Sequence, residues 1–358
     1  MGRAELLSIR KVFGTGILTE GKACAELERN FAQYIGSRYA VATSSCTSAL
    51  QLGLIGLGVA PGDEVIVPDF TFPASANAVR SVGGRPILAD IDSSTFNLDP
   101  SKLERKISPK TRAIMAVHLF GLAADMDPIN AIARNHGLKV IEDAACAVGT
   151  TYNSRMAGQL GDVACFSFHP RKVITTGEGG MITTNDEEIA GLVKRIKNHG
   201  AVKTDGRSKF LSAGYNYRLS DVNAAIGLTQ LKKVHRLIKS RIAIARLYNR
   251  LLRSVSGIVP PQYRERDVHT FQSYVVTVRR DYGRDRDNLL EELKRRGIET
   301  QVGTYALHKQ PAFEGFATEE DCPNSAAAYA TSLSLPISSV MRSSDAEYVV
   351  QSLRDLKR

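Results

Sequence analysis

From Tyr39 to Thr184 the chain keeps returning to one pattern: a short apolar, often β-branched run, then a stretch with apolar side chains at helical spacing. The runs fall at 39–43, 64–67, 86–90, 113–117, 139–142, 163–168 and 180–184, with helical segments through Leu50 to Leu57, 75–82 and 128–136. Strands joined through helices cannot pair as hairpins. The connections make them parallel, and a parallel sheet needs helices on both faces. The pattern therefore predicts an α/β fold with a mostly parallel sheet between helices.

The rhythm changes farther on. A helix opening at Asn185 or Asp186 carries acids in its first turn and bases near its end, as the helix dipole favours. A long helical stretch over 222–252 follows, then the Pro260-Pro261 break, a strand at 273–278 and helices at 287–296 and 345–356. This reads as a smaller C-terminal α+β domain. With 358 residues there is room for both, divided as 1–235 and 236–358. The first helix is expected at Gly21 to Gly36, close to the start of the chain.

The net charge of +10 admits nucleic acid, an anionic surface or a phosphorylated substrate. The basic runs, such as Lys194-Arg195-Ile196-Lys197 and Lys294-Arg295-Arg296, are interleaved with apolar residues at helical spacing and read as solvated helix faces. No nucleic-acid motif accompanies them. Five cysteines without CxxC spacing argue against a disulfide framework and against a metal site. No run reaches membrane-spanning length and no secretory signal opens the chain, so a cytoplasmic protein is expected.

The chemistry concentrates around Lys172, inside Ser167-Phe-His-Pro-Arg-Lys-Val-Ile-Thr-Thr-Gly-Glu-Gly-Gly180. A lysine that forms an imine with pyridoxal phosphate (PLP) needs a tight backbone and open space at its amine, and glycines supply both. The cofactor also needs a carboxylate for its ring nitrogen, donors for its phosphate and a flat group against the ring. Asp143, at the C-terminal end of a predicted strand, is placed where ligands of parallel sheets collect. The hydroxyl-rich turn Ser44 to Ser48 before a helix is an anion site, though Thr47 or Ser48 could equally cap that helix. Phe72 could stack on the ring or belong to the core.

These residues carry a resemblance. The segments TSSCTSAL (43–50), GDEVIVPDFTF (62–72), VIEDAACAVG (140–149), the lysine run and GYNYRLSDVNAAIGLTQL (214–231) resemble the DegT/DnrJ/StrS family of nucleotide-sugar aminotransferases. The resemblance implies a PLP enzyme of fold type I. It implies Lys172 as the imine-forming lysine, Asp143 as the partner of the ring nitrogen, Thr47, Ser48 and Ser167 as phosphate ligands and Phe72 as the stacking ring. Asn216 would reach the phosphate held by a neighbouring subunit, implying a homodimer with shared sites.

His169 resembles the variant found in members that aminate C4 of a 4-keto sugar. Arg218, Tyr305 and His308 are further candidates for substrate contacts. Two departures stand out: Cys146 occupies a position where many members have glutamine or histidine, and the usual extended leader before the first helix is not seen. The expected reaction moves an amino group from glutamate to an NDP-4-keto-6-deoxyhexose. A cyclitol ketone is the alternative substrate, and a PLP-binding DNA-associated regulator is the alternative from outside enzymology.

Overall fold

The computed structural model describes residues 1–357. Its centre is a seven-stranded sheet of β1 (Tyr39–Thr43), β2 (Glu64–Pro68), β3 (Arg85–Ala89), β4 (Thr111–Val117), β5 (Lys139–Asp143), β6 (Val163–Ser167) and β7 (Gly180–Thr184). The spatial order is β1-β7-β6-β5-β4-β2-β3. Strands β2 to β6 pair in parallel, and β7 runs antiparallel to both its neighbours. All seven runs read from the sequence form strands of this sheet.

Because side chains alternate across a strand, each strand feeds two cores. Ile114 and Ala116 join Leu27 and Phe31 of α2 (Lys22–Ile35) and Ile129 of α5 (Met126–Asn135) on one face. Ala113 and Met115 join Leu50 and Leu52 of α3 (Cys46–Gly56) and Val79 of α4 (Ala74–Ser81) on the other. Ile141 is fully enclosed in the second core, so Ile141→Ala should cost about 2–5 kcal/mol through lost burial and a cavity. Helix α3 approaches the sheet closely at Gly53, where a Cβ would stand 3.0 Å from Ile141 and 3.1 Å from Val163. That close packing sets the helix N-terminus beside the C-terminal ends of β5 and β6.

Helix α1 (Arg3–Thr15) precedes the helix expected to be first, which corrects that reading. It was not legible because Leu6, Leu7 and Phe13 remain exposed while Glu5 is buried, the reverse of an ordinary amphipathic pattern. The stretch over 222–252 is also two helices, α7 (Asp221–Leu231) and α8 (Val234–Leu251). The bend lies at Lys232 and Lys233, and the Lys233 amine reaches the buried Glu5 carboxylate at 2.5 Å. Neither glycine nor proline marks this turn.

Along α8 the core changes. Ile238 packs with the large sheet, whereas Ile244 and Tyr248 pack with a second cluster under the C-terminal sheet. That sheet is antiparallel, in the order β8-β9-β11-β10, from β8 (Ile258–Val259), β9 (Tyr274–Val278), β10 (Gln301–Val302) and β11 (Ser332–Leu335). Helices α9 (Arg286–Arg295) and α11 (Ser343–Leu356) cover it, and α10 (Pro323–Thr331) precedes β11. A hairpin of Ala201–Thr204 and Arg207–Phe210 projects from the large sheet's side with all of its second strand exposed. Among the described residues no helix is long and apolar enough to cross a membrane.

Candidate active site

A cavity of about 470 Å³ opens at the C-terminal ends of β5 and β6. Seven of the residues singled out above line it: Thr47, Phe72, Asp143, Cys146, Ser167, His169 and Lys172.

Asp143 ends β5 and is 5 % exposed. Its Oδ2 accepts a 2.7 Å hydrogen bond from Ser75 Oγ, and its Oδ1 accepts one from the Ala145 amide. Thr71 Oγ1 lies 3.1 Å from the same Ser75 hydroxyl. Thus α4 orients the carboxylate from below through a short chain of hydroxyls, which fixes its direction at the sheet edge. The sequence reading missed Ser75 and Thr71; two hydroxyls four residues apart at a helix start, after a turn already under suspicion, were the available signal.

Beside Asp143, the adjacent strand residue Glu142 does a different job. It is fully buried, accepts amides from Gly158, Leu160 and Gly161, and accepts from His118 Nε2 at 2.8 Å. His118 Nδ1 accepts the Ala124 amide, which fixes a neutral tautomer with its proton on Nε2. This pair ties β4, β5 and the following loop together under the cavity floor.

The Lys172 amine points into the cavity and lies 3.1 Å from Cys146 Sγ. Burial disfavours its ammonium, but the Cys146 sulfur, Cys46 and Asp143 outweigh that, and the net direction is upward from the ordinary lysine value. Burial, with Asp143 nearby, pushes the Cys46 thiol well up. All five cysteines are free.

The N-terminus of α3 forms the phosphate-sized corner. Thr47 is exposed to it, and β7 comes so near that a Cβ on Gly180 would stand 2.4 Å from the Ser45 carbonyl oxygen. Ser48 behaves differently from expectation: its hydroxyl receives the Ser45 amide and donates to the Ser45 carbonyl, and its amide donates to Ser45 Oγ. The Ser48 side chain is therefore used within the helix cap and does not line the cavity. The lysine, the oriented carboxylate, the helix N-terminus with Thr47 and Ser167, and the ring of Phe72 together match the demands of PLP.

Other residues fall outside this wall. Asn216 and Arg218 bond each other, Arg218 Nε to Asn216 Oδ1 at 3.0 Å, and Arg218 also reaches Asn198. Both stand away from this chain's own cavity. Tyr305 pairs with Thr71 in a two-residue bridge, and its ring centroid is 6.5 Å from that of Phe72, at the cavity's edge. His308 corrects its sequence assignment: its Nδ1 is 2.6 Å from Asp69 Oδ2 and its side chain is 4 % exposed, so it buttresses the strand end and is not available to a substrate. Asp69, in turn, is held upward from the usual carboxylate range by burial, against the pull of His308. Arg171, Glu178 and His118 line the cavity and were not singled out beforehand.

Comparison with known proteins agrees with this geometry. The DegT/DnrJ/EryC1/StrS aminotransferase family matches residues 1–354. GDP-perosamine synthase of Caulobacter vibrioides is 41% identical over 95% of this chain and 91% of its own length. Spore coat polysaccharide biosynthesis protein SpsC of Bacillus subtilis is 38% identical over 99% and 95%. Among solved structures, S. venezuelae DesV superposes with a TM-score of 0.93 at 34% identity, covering 99% of this chain and 94% of that one. The sugar aminotransferase Spr1654 of Streptococcus pneumoniae, described as putative and solved in PLP and PMP forms, covers 99% of this chain with TM-scores of 0.94 and 0.95 at 27% identity. With its fold, its cavity and a match across nearly its whole length, the chain belongs to the DegT/DnrJ/EryC1/StrS aminotransferase family of PLP-dependent enzymes.

Proposed function

We propose that this enzyme transfers an amino group from glutamate to C4 of an NDP-4-keto-6-deoxyhexose. The reading is carried by one observation: the Lys172 amine and the Asp143 carboxylate share one cavity, and His169 stands on the wall beside them. When bound, PLP supplies the electron sink that makes an amino acid's Cα proton removable.

The residues do the rest. Lys172 would hold the cofactor between turnovers, and its freed amine would carry the proton to and from the substrate carbon as general base and acid. Asp143, fixed by Ser75 and Ala145, would keep a proton on the ring nitrogen through a charge-assisted hydrogen bond. Thr47, Ser167 and the α3 amides would take the phosphate, and Phe72 would cover the ring. His169 Nε2 is 3.8 Å from Glu178 Oε1 at the same wall, a pair placed to hydrogen-bond a sugar hydroxyl or keto oxygen.

A homodimer completes this reading. Asn216 and Arg218 are turned away from their own cavity, and Phe210, Leu211 and Tyr215 beside them are exposed apolar surface. A second copy would cover that surface and receive Asn216 at its phosphate and Arg218 near the substrate diphosphate.

A panel of 4-keto and 3-keto nucleotide sugars and an inosose, each with glutamate or glutamine, tests the assignment by mass spectrometry and NMR of the product. A 4-amino sugar nucleotide is the expected product. Amination of the inosose alone, or at C3 alone, would replace the assignment with the corresponding one.

A further inference from the structure

The contact between the Lys172 amine and Cys146 is held from both sides of the chain. Cys146 lies in the turn after β5, where the Ala144 amide donates to the Cys165 carbonyl and the Ala147 amide to the Ala144 carbonyl. Gly121 packs so near that a Cβ there would stand 3.2 Å from the Cys146 carbonyl oxygen. Lys172 lies in a second turn. Its amide donates to the His169 carbonyl at 2.9 Å, and Val173 and Ile174 behind it are buried. The 3.1 Å separation of Nζ and Sγ therefore spans two fixed anchors, and the flexible lysine stem can close the rest of the distance.

Both side chains are half-buried and line the cavity of about 470 Å³, which admits a molecule the size of hydrogen peroxide to the sulfur. A thiol and an amine in contact are two nucleophiles, inert toward each other until one is oxidised. Sulfur is the one that peroxide oxidises. The sulfenic acid it gives is electrophilic and condenses with a neighbouring nitrogen or thiol.

Two neighbours compete for it. Cys46 also lines the cavity, but burial pushes its thiol well up and withholds the thiolate that would attack. Lys172 responds in the opposite sense. Burial disfavours its ammonium, and the Cys146 sulfur is the largest influence acting the other way. Converting that sulfur to a neutral sulfenic acid removes the support, and burial then favours the free amine, the form that attacks.

We propose that Cys146 and Lys172 form a reversible oxidative cross-link, a sulfenamide between Sγ and Nζ, when the amine is free of cofactor. Hydrogen peroxide first takes an electron pair from the sulfur: an S–O bond forms, the O–O bond breaks, and the thiol proton leaves in water. The Nζ lone pair then attacks the sulfur. An S–N bond forms, the S–O bond breaks, and hydroxide leaves with an amine proton as a second water. A dithiol reverses the change, returning thiol and amine and ending as a disulfide. The proposal rests on the transaminase reading for one point, that the holoenzyme's Lys172 amine is free while the cofactor carries the amino group. A cross-linked lysine cannot hold cofactor, so each amino-form interval exposes the enzyme to peroxide.

The test compares holoenzyme in its PLP form with holoenzyme converted to its amino form by glutamate or glutamine. Both are treated with hydrogen peroxide, digested and mapped by mass spectrometry, with and without dithiothreitol. A peptide pair joining Cys146 to Lys172, lighter than its free parts by the hydrogens lost, is expected in the amino form at about tenfold or more its level in the PLP form. Dithiothreitol should release the pair and restore amino transfer together. Cys146→Ser should form none, and Cys46→Ser should still form it. Cys146 recovered only as sulfinic acid or as a disulfide with Cys46, with Lys172 unmodified in the amino form, would overturn the cross-link and leave the transaminase intact. A holoenzyme whose spectrum responds to no amino acid would overturn the transaminase reading. Peroxide treatment after cofactor removal then reads the cross-link by itself, and an unmodified Lys172 there would overturn it as well.

Discussion

The Lys172 amine and the Cys146 sulfur are 3.1 Å apart inside the cofactor cavity. The thiol is small and leaves the lysine free to reorient, while any group added to that sulfur would occupy the lysine's space. Iodoacetamide treatment of apoprotein should therefore abolish recovery of visible absorption on adding PLP. Cofactor bound beforehand should protect, and Cys146→Ser should remove most of the sensitivity. Cys24, Cys165 and Cys322 are buried, so Cys46 is the one competing thiol, and peptide mapping separates the two.

Ser75→Ala tests the carboxylate's orientation. The Ser75 hydroxyl donates at 2.7 Å to Asp143, and its loss leaves the Ala145 amide as the remaining donor recorded to that side chain. Amino transfer should slow by roughly tenfold with PLP still bound, consistent with losing one hydrogen bond to a charged group. Asp143→Asn should cost on the order of a hundredfold. Steady-state kinetics of the two variants gives the ranking.

Glu142→Gln should destabilise the fold more than it affects chemistry. The carboxylate accepts three backbone amides and the His118 ring, and a carboxamide can present only one oxygen to four donors. A loss of about 3–5 kcal/mol is expected from breaking a buried charged network. Urea unfolding of wild type and variant measures it.

Acid should release α1 before it unfolds the central sheet. Burial works to raise the Glu5 pKa, but hydrogen bonds from Lys233 and Gln230 outweigh it and bring it down to about 2 from an ordinary 4.5. With a folded value below the unfolded one, the stabilisation is complete above pH 4.5 and disappears as pH falls toward 2. Hydrogen exchange in α1 should rise across that window, and Glu5→Gln should remove the pH dependence.

The residues that line the cavity were more legible in the sequence than their supports. Lys172, Asp143, Thr47 and Phe72 sit in local patterns, a glycine-rich loop, a strand end and a hydroxyl-rich turn, and patterns of that kind survive translation into three dimensions. Ser75 with Asp143 and Glu142 with His118 act across 68 and 24 positions of chain, and no local periodicity signals such pairings. Ser48 and His308 stand outside the cavity wall for a related reason. Each is a polar residue beside the site whose hydrogen bonds run to a neighbour, Ser45 and Asp69, that the linear sequence does not rank above a ligand. The central strands were readable because burial on both faces leaves continuous apolar runs, while two-residue strands such as Gln301–Val302 are too short to show any period.

The account stands or falls on Lys172 as the cofactor's attachment point. Borohydride reduction of PLP-loaded enzyme, followed by proteolysis and mass spectrometry, reads this directly. The account predicts a single reduced pyridoxyl phosphate adduct on Lys172, with Lys172→Ala forming none and losing transfer by at least about 10²- to 10⁴-fold. An adduct on a different lysine, or transfer retained in Lys172→Ala, would contradict it.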